Sequence, residues 1–122
     1  MDVLLVDDSK TMRMLVQRSL RQAGYRDLVV GEAESGKHAL EQLGQAIPKL
    51  IVSDWNMPMM SGIELLKKLR ADNNHTPLGF ITSEASAEIR DLAMESGASF
   101  LITKPFTPEA VQAALSPFLG GR

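Results

Sequence analysis

Five short apolar runs, each followed by a stretch with helical spacing, constrain this chain more than any other feature. Val3-Leu4-Leu5-Val6, Leu28-Val29-Val30, Leu50 to Ser53, Leu78 to Thr82 and Phe100 to Thr103 read as strands. Between them, a first helix carries Met12, Leu15, Val16, Leu20 and Ala23, starts from a cap at Ser9 or Asp8 and closes at Gly24. A second, capped by Ser35, runs through Ala39, Leu40 and Leu43. Ser61-Gly62-Ile63-Glu64 has the pattern of a capping box and opens a third helix carrying Ile63, Leu66 and Leu69. A fourth carries Ile89, Leu92 and Ala93 to Gly97, and Thr107-Pro108-Glu109 starts a fifth with a cap and an N1 proline. Strict alternation of this kind predicts an α/β sandwich: a doubly wound parallel sheet, right-handed crossovers, and helices on both faces.

The strand ends carry the chemistry. Asp7 and Asp8 close the first run, Asp54 closes the third, Thr82 the fourth, and Lys104 follows the fifth. Parallel strands share a direction, so these residues gather at the carboxyl edge of the sheet, where such folds place their ligands. Two bare carboxylates about 5 Å apart repel by roughly 3 kcal/mol at an effective dielectric of about 20, so three together need a cation or a proton, and the site invites a hard metal ion. Magnesium suits them, with two carboxylates, the Asn56 backbone carbonyl and a phosphoryl oxygen as plausible ligands, and Asp7 holding a ligand water. Taken singly, each acid is explained equally well as a helix cap or turn residue, Thr82 as a β-branched strand end, and Lys104 as a solvated lysine. The combination is what argues for a site. Lys104 precedes Pro105, which keeps the chain extended and lets its ammonium reach back to the acids.

The length of 122 residues, 44% of them apolar, predicts a single domain spanning 1–122 that buries about 65% of its unfolded surface. Thirteen Lys and Arg against fifteen Asp and Glu leave a net charge of −2, with no basic field for nucleic acid. The absence of cysteine removes thiolate nucleophiles and disulfides. No stretch has the length of a membrane span and no basic, apolar leader opens the chain, so a soluble cytoplasmic protein, monomeric and without nucleic-acid or membrane partners, is the expectation. Glycine at position 79 is the odd residue inside a strand, and close approach of another group would explain it. The tail from Leu119 to Arg122 reads as frayed.

Val6-Asp7-Asp8-Ser9, Ser53-Asp54-Trp55-Asn56-Met57-Pro58 with Met60 and Gly62, Ile81-Thr82-Ser83-Glu84, and Lys104-Pro105-Phe106 together resemble the receiver domains of two-component response regulators, especially the CheY-like single-domain chemotaxis regulators. The likeness covers nearly the whole chain. It implies a flavodoxin-like (βα)5 sandwich with strand order 2-1-3-4-5. It also implies Asp54 as phosphoacceptor from a sensor histidine kinase, with Asp7, Asp8, Asp54 and the Asn56 carbonyl around Mg2+, and Thr82 and Lys104 on the phosphoryl group. Signalling would follow from a conformational shift of the surface built by the fourth and fifth helices and the fifth strand, read by an output protein such as a flagellar-motor switch. A phosphatase is a further possible partner. Asn56 and Glu84 match the likeness at the two positions flanking the pocket, which implies a short-lived acyl phosphate. Leu101 departs from it, since receivers usually carry an aromatic there; Phe100 is one residue away and therefore on the opposite face.

Four other readings compete. The chain would also suit a receiver cut from a larger DNA-binding or enzymatic regulator, or a phosphorelay carrier. A haloacid-dehalogenase-type phosphatase shares the aspartate, hydroxyl and lysine, but places an acid where this chain has Asn56, which has no proton to transfer. Gly31 to His38 nearly spells a phosphate-cradling loop, yet His38 replaces the metal-binding hydroxyl and Glu32 and Glu34 repel phosphate. His38 and His75 read as surface residues, Met57, Met59 and Met60 as packing for loop and core, and Trp55 as a reporter beside Asp54.

Overall fold

The computed structural model describes residues 1–120. Elements alternate as β1 (Val3–Val6), α1 (Lys10–Gln22), β2 (Val30–Ala33), α2 (Gly36–Leu43), β3 (Leu50–Asp54), α3 (Gly62–Ala71), β4 (Leu78–Thr82), α4 (Ala87–Glu95), β5 (Leu101–Thr103) and α5 (Pro108–Leu119). The five strands pair in parallel in the order β2-β1-β3-β4-β5. That is the order the resemblance implies, and it places β1 and β3, the two acid-ending strands, side by side.

Strand alternation divides the core in two. Val3, Leu5, Leu50, Val52, Ile81 and Ile102 pack against Val16 and Leu20 of α1 and Val111 and Leu115 of α5. Leu4, Val6, Ile51, Leu78 and Phe80 face the other way, against Ala39 and Leu43 of α2, Leu65, Leu66 and Leu69 of α3, and Ala93 of α4. Every helix starts from a hydroxyl cap: Ser9, Ser35, Ser61, Ser86 and Thr107 each accept a hydrogen bond from a backbone N–H three residues on. The box between Ser61 and Glu64 forms in both directions. Glu64 keeps its carboxyl below the usual range by accepting from the Ser61 amide. No helix among the described residues is long and apolar enough to cross a membrane.

Several expectations are corrected. The second strand begins two residues later than the apolar run Leu28-Val29-Val30, because pairing with β1 sets its register from Val3↔Val30 to Val6↔Ala33. Val29 is left 63% exposed. The glycine-rich stretch therefore begins inside a strand and forms no phosphate cradle. Gly24 follows the cap Ala23 with φ of 101°, just beyond the end of α1 rather than at its cap. Leu92 is exposed at one side of α4, whose buried line runs through Ala93 with Ile89 packed beside it. Met57 and Met60 pack on the core, but Met59, turned outward at φ of 70°, is fully exposed. His75 is exposed, whereas His38 is half-buried and its Nδ1 accepts from the Glu34 N–H at 3.3 Å. At the tail, Leu119 packs against the core and the Gly120 carbonyl accepts from the Tyr25 hydroxyl at 2.8 Å, so these two are held; Gly121 and Arg122 lie outside the described residues.

Gly79 has a packing reason. A Cβ there would lie 2.2 Å from the Phe100 ring, which covers the glycine and contacts Phe118 at 6.1 Å between ring centres. Phe100 thus belongs to the α1/α5 side and Leu101 to the other. The opposite-face expectation for these two residues holds.

Candidate functional site

The carboxyl edge of the sheet brings Asp7, Asp8 and Asp54 together, with one carboxylate oxygen from each within 4.8 Å of the others. Asp7 and Asp8 arrive on the loop leaving β1, and Asp54 is the last residue of β3. Asp8 is exposed, Asp54 is partly covered, and Asp7 is 8% exposed. Burial, followed by the charges of Asp54 and Asp8, pushes the Asp7 carboxyl above its ordinary range; the Ser9 N–H, bonded to Asp7 Oδ1 at 2.9 Å, and Lys104 pull it back. Three carboxylates held this close, with Asp7 raised by burial and by its acidic neighbours, fit a bound cation.

Lys104 enters from the β5 end. Its Nζ lies 3.3 Å from Asp54 Oδ1 and 3.8 Å from Asp7 Oδ2, with little of the side chain exposed. The Lys104 N–H also donates to the Thr82 carbonyl at 2.8 Å, extending the β4–β5 pairing up to the site. The Lys104–Pro105 peptide is cis. Thr82 is buried, and its hydroxyl accepts from the Glu84 N–H at 3.0 Å, which leaves the hydroxyl hydrogen to donate. Asn56 is exposed on the loop after β3, and its amide donates to Glu84 Oε1 at 3.1 Å. The two flanking residues thus bond to each other across the pocket mouth.

Asp54 Oδ1 also accepts from the Trp55 N–H at 2.8 Å, and the Trp55 ring turns inward, edge-on to Phe80 at 4.9 Å between centres. Behind the strand end, a Cβ on Gly62 would lie 2.3 Å from the Asp54 carbonyl and 2.6 Å from Phe80. Only a glycine lets α3 start this close to Asp54. Neither Gly62, beyond its place in the resemblance, nor Arg13 is singled out by sequence reasoning. Arg13 donates to the Asp7 carbonyl and, through Nε, to Glu32 Oε1 at 2.9 Å. Its available signal is electrostatic: Lys10 and Arg13 put positive charge near the positive end of the α1 dipole, and no acid sits in that first turn.

The resulting architecture, a parallel sheet whose carboxyl edge holds three acids, a buried hydroxyl and a lysine, is that of a receiver. Residues 3–116 match the family described as the response regulator receiver domain, and the chain belongs to that family. It is 42% identical to the chemotaxis protein CheY1 of Helicobacter pylori over 98% of both chains. To the chemotaxis protein CheY-3 of Vibrio cholerae it is 41% identical, over 94% of this chain and 88% of that one. Among solved structures, CheY4 of Vibrio cholerae superimposes with a TM-score of 0.83 at 36% identity, covering 96% of this chain and 97% of the other.

Proposed function

We propose that this protein is a phosphorylation-dependent regulator in which Asp54 accepts a phosphoryl group from a phosphohistidine on a sensor histidine kinase. The observation that carries the reading is the meeting of three carboxylates with one ammonium at the ends of β1, β3 and β5. Asp7, Asp8, Asp54 and the Asn56 carbonyl would hold Mg2+, which when bound offsets the acids and the charge of the incoming phosphoryl oxygens.

The chain's own residues account for the rest. Trp55 N–H and Lys104 engage Asp54 Oδ1, which orients the carboxylate for in-line attack. A bond forms from a carboxylate oxygen to phosphorus as the phosphorus–nitrogen bond of phosphohistidine breaks, and the electron pair returns to the imidazole. Lys104 and the Thr82 hydroxyl then bind phosphoryl oxygens. An open groove of about 510 Å³, lined by Met12, Leu15, Arg18 and Phe106, reaches Lys104 and offers the kinase an apolar seat. Movement of Thr82 and Lys104, joined through the β4–β5 pairing, would bias the α4–β5–α5 surface. The chemotaxis names of the relatives support a chemotaxis-type kinase and an output partner such as a flagellar-motor switch; a cytoplasmic monomer is part of the same proposal.

Incubation with acetyl phosphate and Mg2+, read by intact mass and Trp55 fluorescence, tests the reading. Wild type should gain one phosphoryl group and Asp54→Asn none; equal labelling of both would overturn it.

A further inference from the structure

Arg13 borders the acid cluster, yet its guanidinium bonds to the Glu32 carboxylate and a main-chain carbonyl rather than to any of the three clustered carboxylates. Its side chain is 12% exposed, and it borders the small cavity shared by Asp7, Ser53 and Asp54. A divalent ion among the acids would repel it, and the α1 dipole opposes it as well. Its bonds suggest a different purpose. Nε is fixed by Glu32 of β2 at 2.9 Å, and a second nitrogen donates to the main-chain carbonyl of Asp7. That carbonyl belongs to the peptide joining Asp7 to Asp8. Clamping it sets the plane from which both carboxylates project, and a planar guanidinium, held at one edge, makes a rigid clamp.

We propose that Arg13, braced by Glu32, is a positioning residue that orients the Asp7–Asp8 peptide so that both carboxylates reach one divalent cation. The proposal rests on the reading that these acids take Mg2+. Electrostatics and positioning predict opposite signs. Removing a positive charge beside a cation site should tighten binding, whereas losing the clamp should loosen it. Partners that orient metal ligands typically contribute about 10-fold or more to metal affinity.

The test is calorimetric titration of the purified chain with Mg2+, with Trp55 fluorescence as a second readout and thermal melts in EDTA alongside. Arg13→Met should loosen Mg2+ about 10-fold. Arg13→Lys, which keeps the charge and the fold but lacks the fork, should loosen it comparably, an effect that charge alone does not produce. Glu32→Ala should weaken binding in the wild-type background and add nothing in the Arg13→Met background, since the brace has no clamp left to hold. Arg13→Lys binding as tightly as wild type, or Arg13→Met binding more tightly, would overturn the positioning role. If wild type binds no Mg2+, or Asp8→Asn binds as well as wild type, the reading of the acid site fails instead.

Discussion

Removing the charge of Asp7 should stabilise the metal-free protein while destroying its affinity for magnesium. Oxygens of Asp54 and Asp8 lie within 4.8 Å of an Asp7 oxygen, and each such pair repels by about 3.5 kcal/mol at an effective dielectric of about 20. Lys104 Nζ, 3.8 Å from Asp7 Oδ2, returns about 4 kcal/mol on the same scale. Solvent around exposed Asp8 weakens its share, leaving a net penalty of about 1–2 kcal/mol. The amide oxygen of Asp7→Asn still accepts the Ser9 N–H, so the local bond survives. In EDTA at neutral pH the variant should melt about 5 °C above wild type. The folded Asp7 pKa lies above its ordinary value, so its contribution to stability is full below that value and is lost as pH rises through the folded one. The gap between the two proteins should therefore close on acidification. Magnesium at about ten times its dissociation constant should restore about 1.4 kcal/mol to wild type and nothing to the variant. A variant that melts below wild type in EDTA at pH 7 would refute the argument that these acids repel one another.

Other substitutions probe separate parts of the site and scaffold. Lys104→Met should lower the rate of labelling by acetyl phosphate roughly 10²-fold, as loss of a preorganised charge partner does, and should lower the metal-free melting temperature by leaving Asp54 and Asp7 without their ammonium. Gly62→Ala drives a methyl group into the Asp54 carbonyl, so phosphorylation should slow even in protein that retains its circular dichroism spectrum. Gly79→Ala should cost about 1–3 kcal/mol in urea titration through collision with the Phe100 ring, and Phe100→Leu in the same chain should recover part of it.

Much of this molecule is local in origin, and those parts are legible in the residues. Ser35, Ser61 and Thr107 cap helices where a hydroxyl precedes an amphipathic stretch, and Asp7, Asp8, Asp54 and Lys104 converge because parallel strands share a direction. What escapes is set by partners distant in the chain. The edge strand slides from Leu28-Val29-Val30 to Val30–Ala33 because β1 dictates the register, overriding the preference of Val29 for a strand. Gly79 makes sense only once β4 and β5 are paired and Phe100 lies over it. Arg13 needs Glu32 from β2 and the Asp7 main-chain carbonyl, neither visible in its own helix. Met59 is as apolar as its neighbours Met57 and Met60, yet in the loop before α3 its backbone is left-handed and its side chain lies in solvent.

If Asp54 is the acceptor among the clustered acids, the phosphoryl group must sit on that residue alone. Protein treated with acetyl phosphate and Mg2+ can be reduced with borohydride, which converts an aspartyl phosphate to homoserine, and the modified residue then mapped in peptides by mass spectrometry. Homoserine at position 54 alone, absent when Mg2+ is chelated, is the predicted result. Homoserine at Asp7 or Asp8, or none anywhere in protein that has gained a phosphoryl group, would contradict the account.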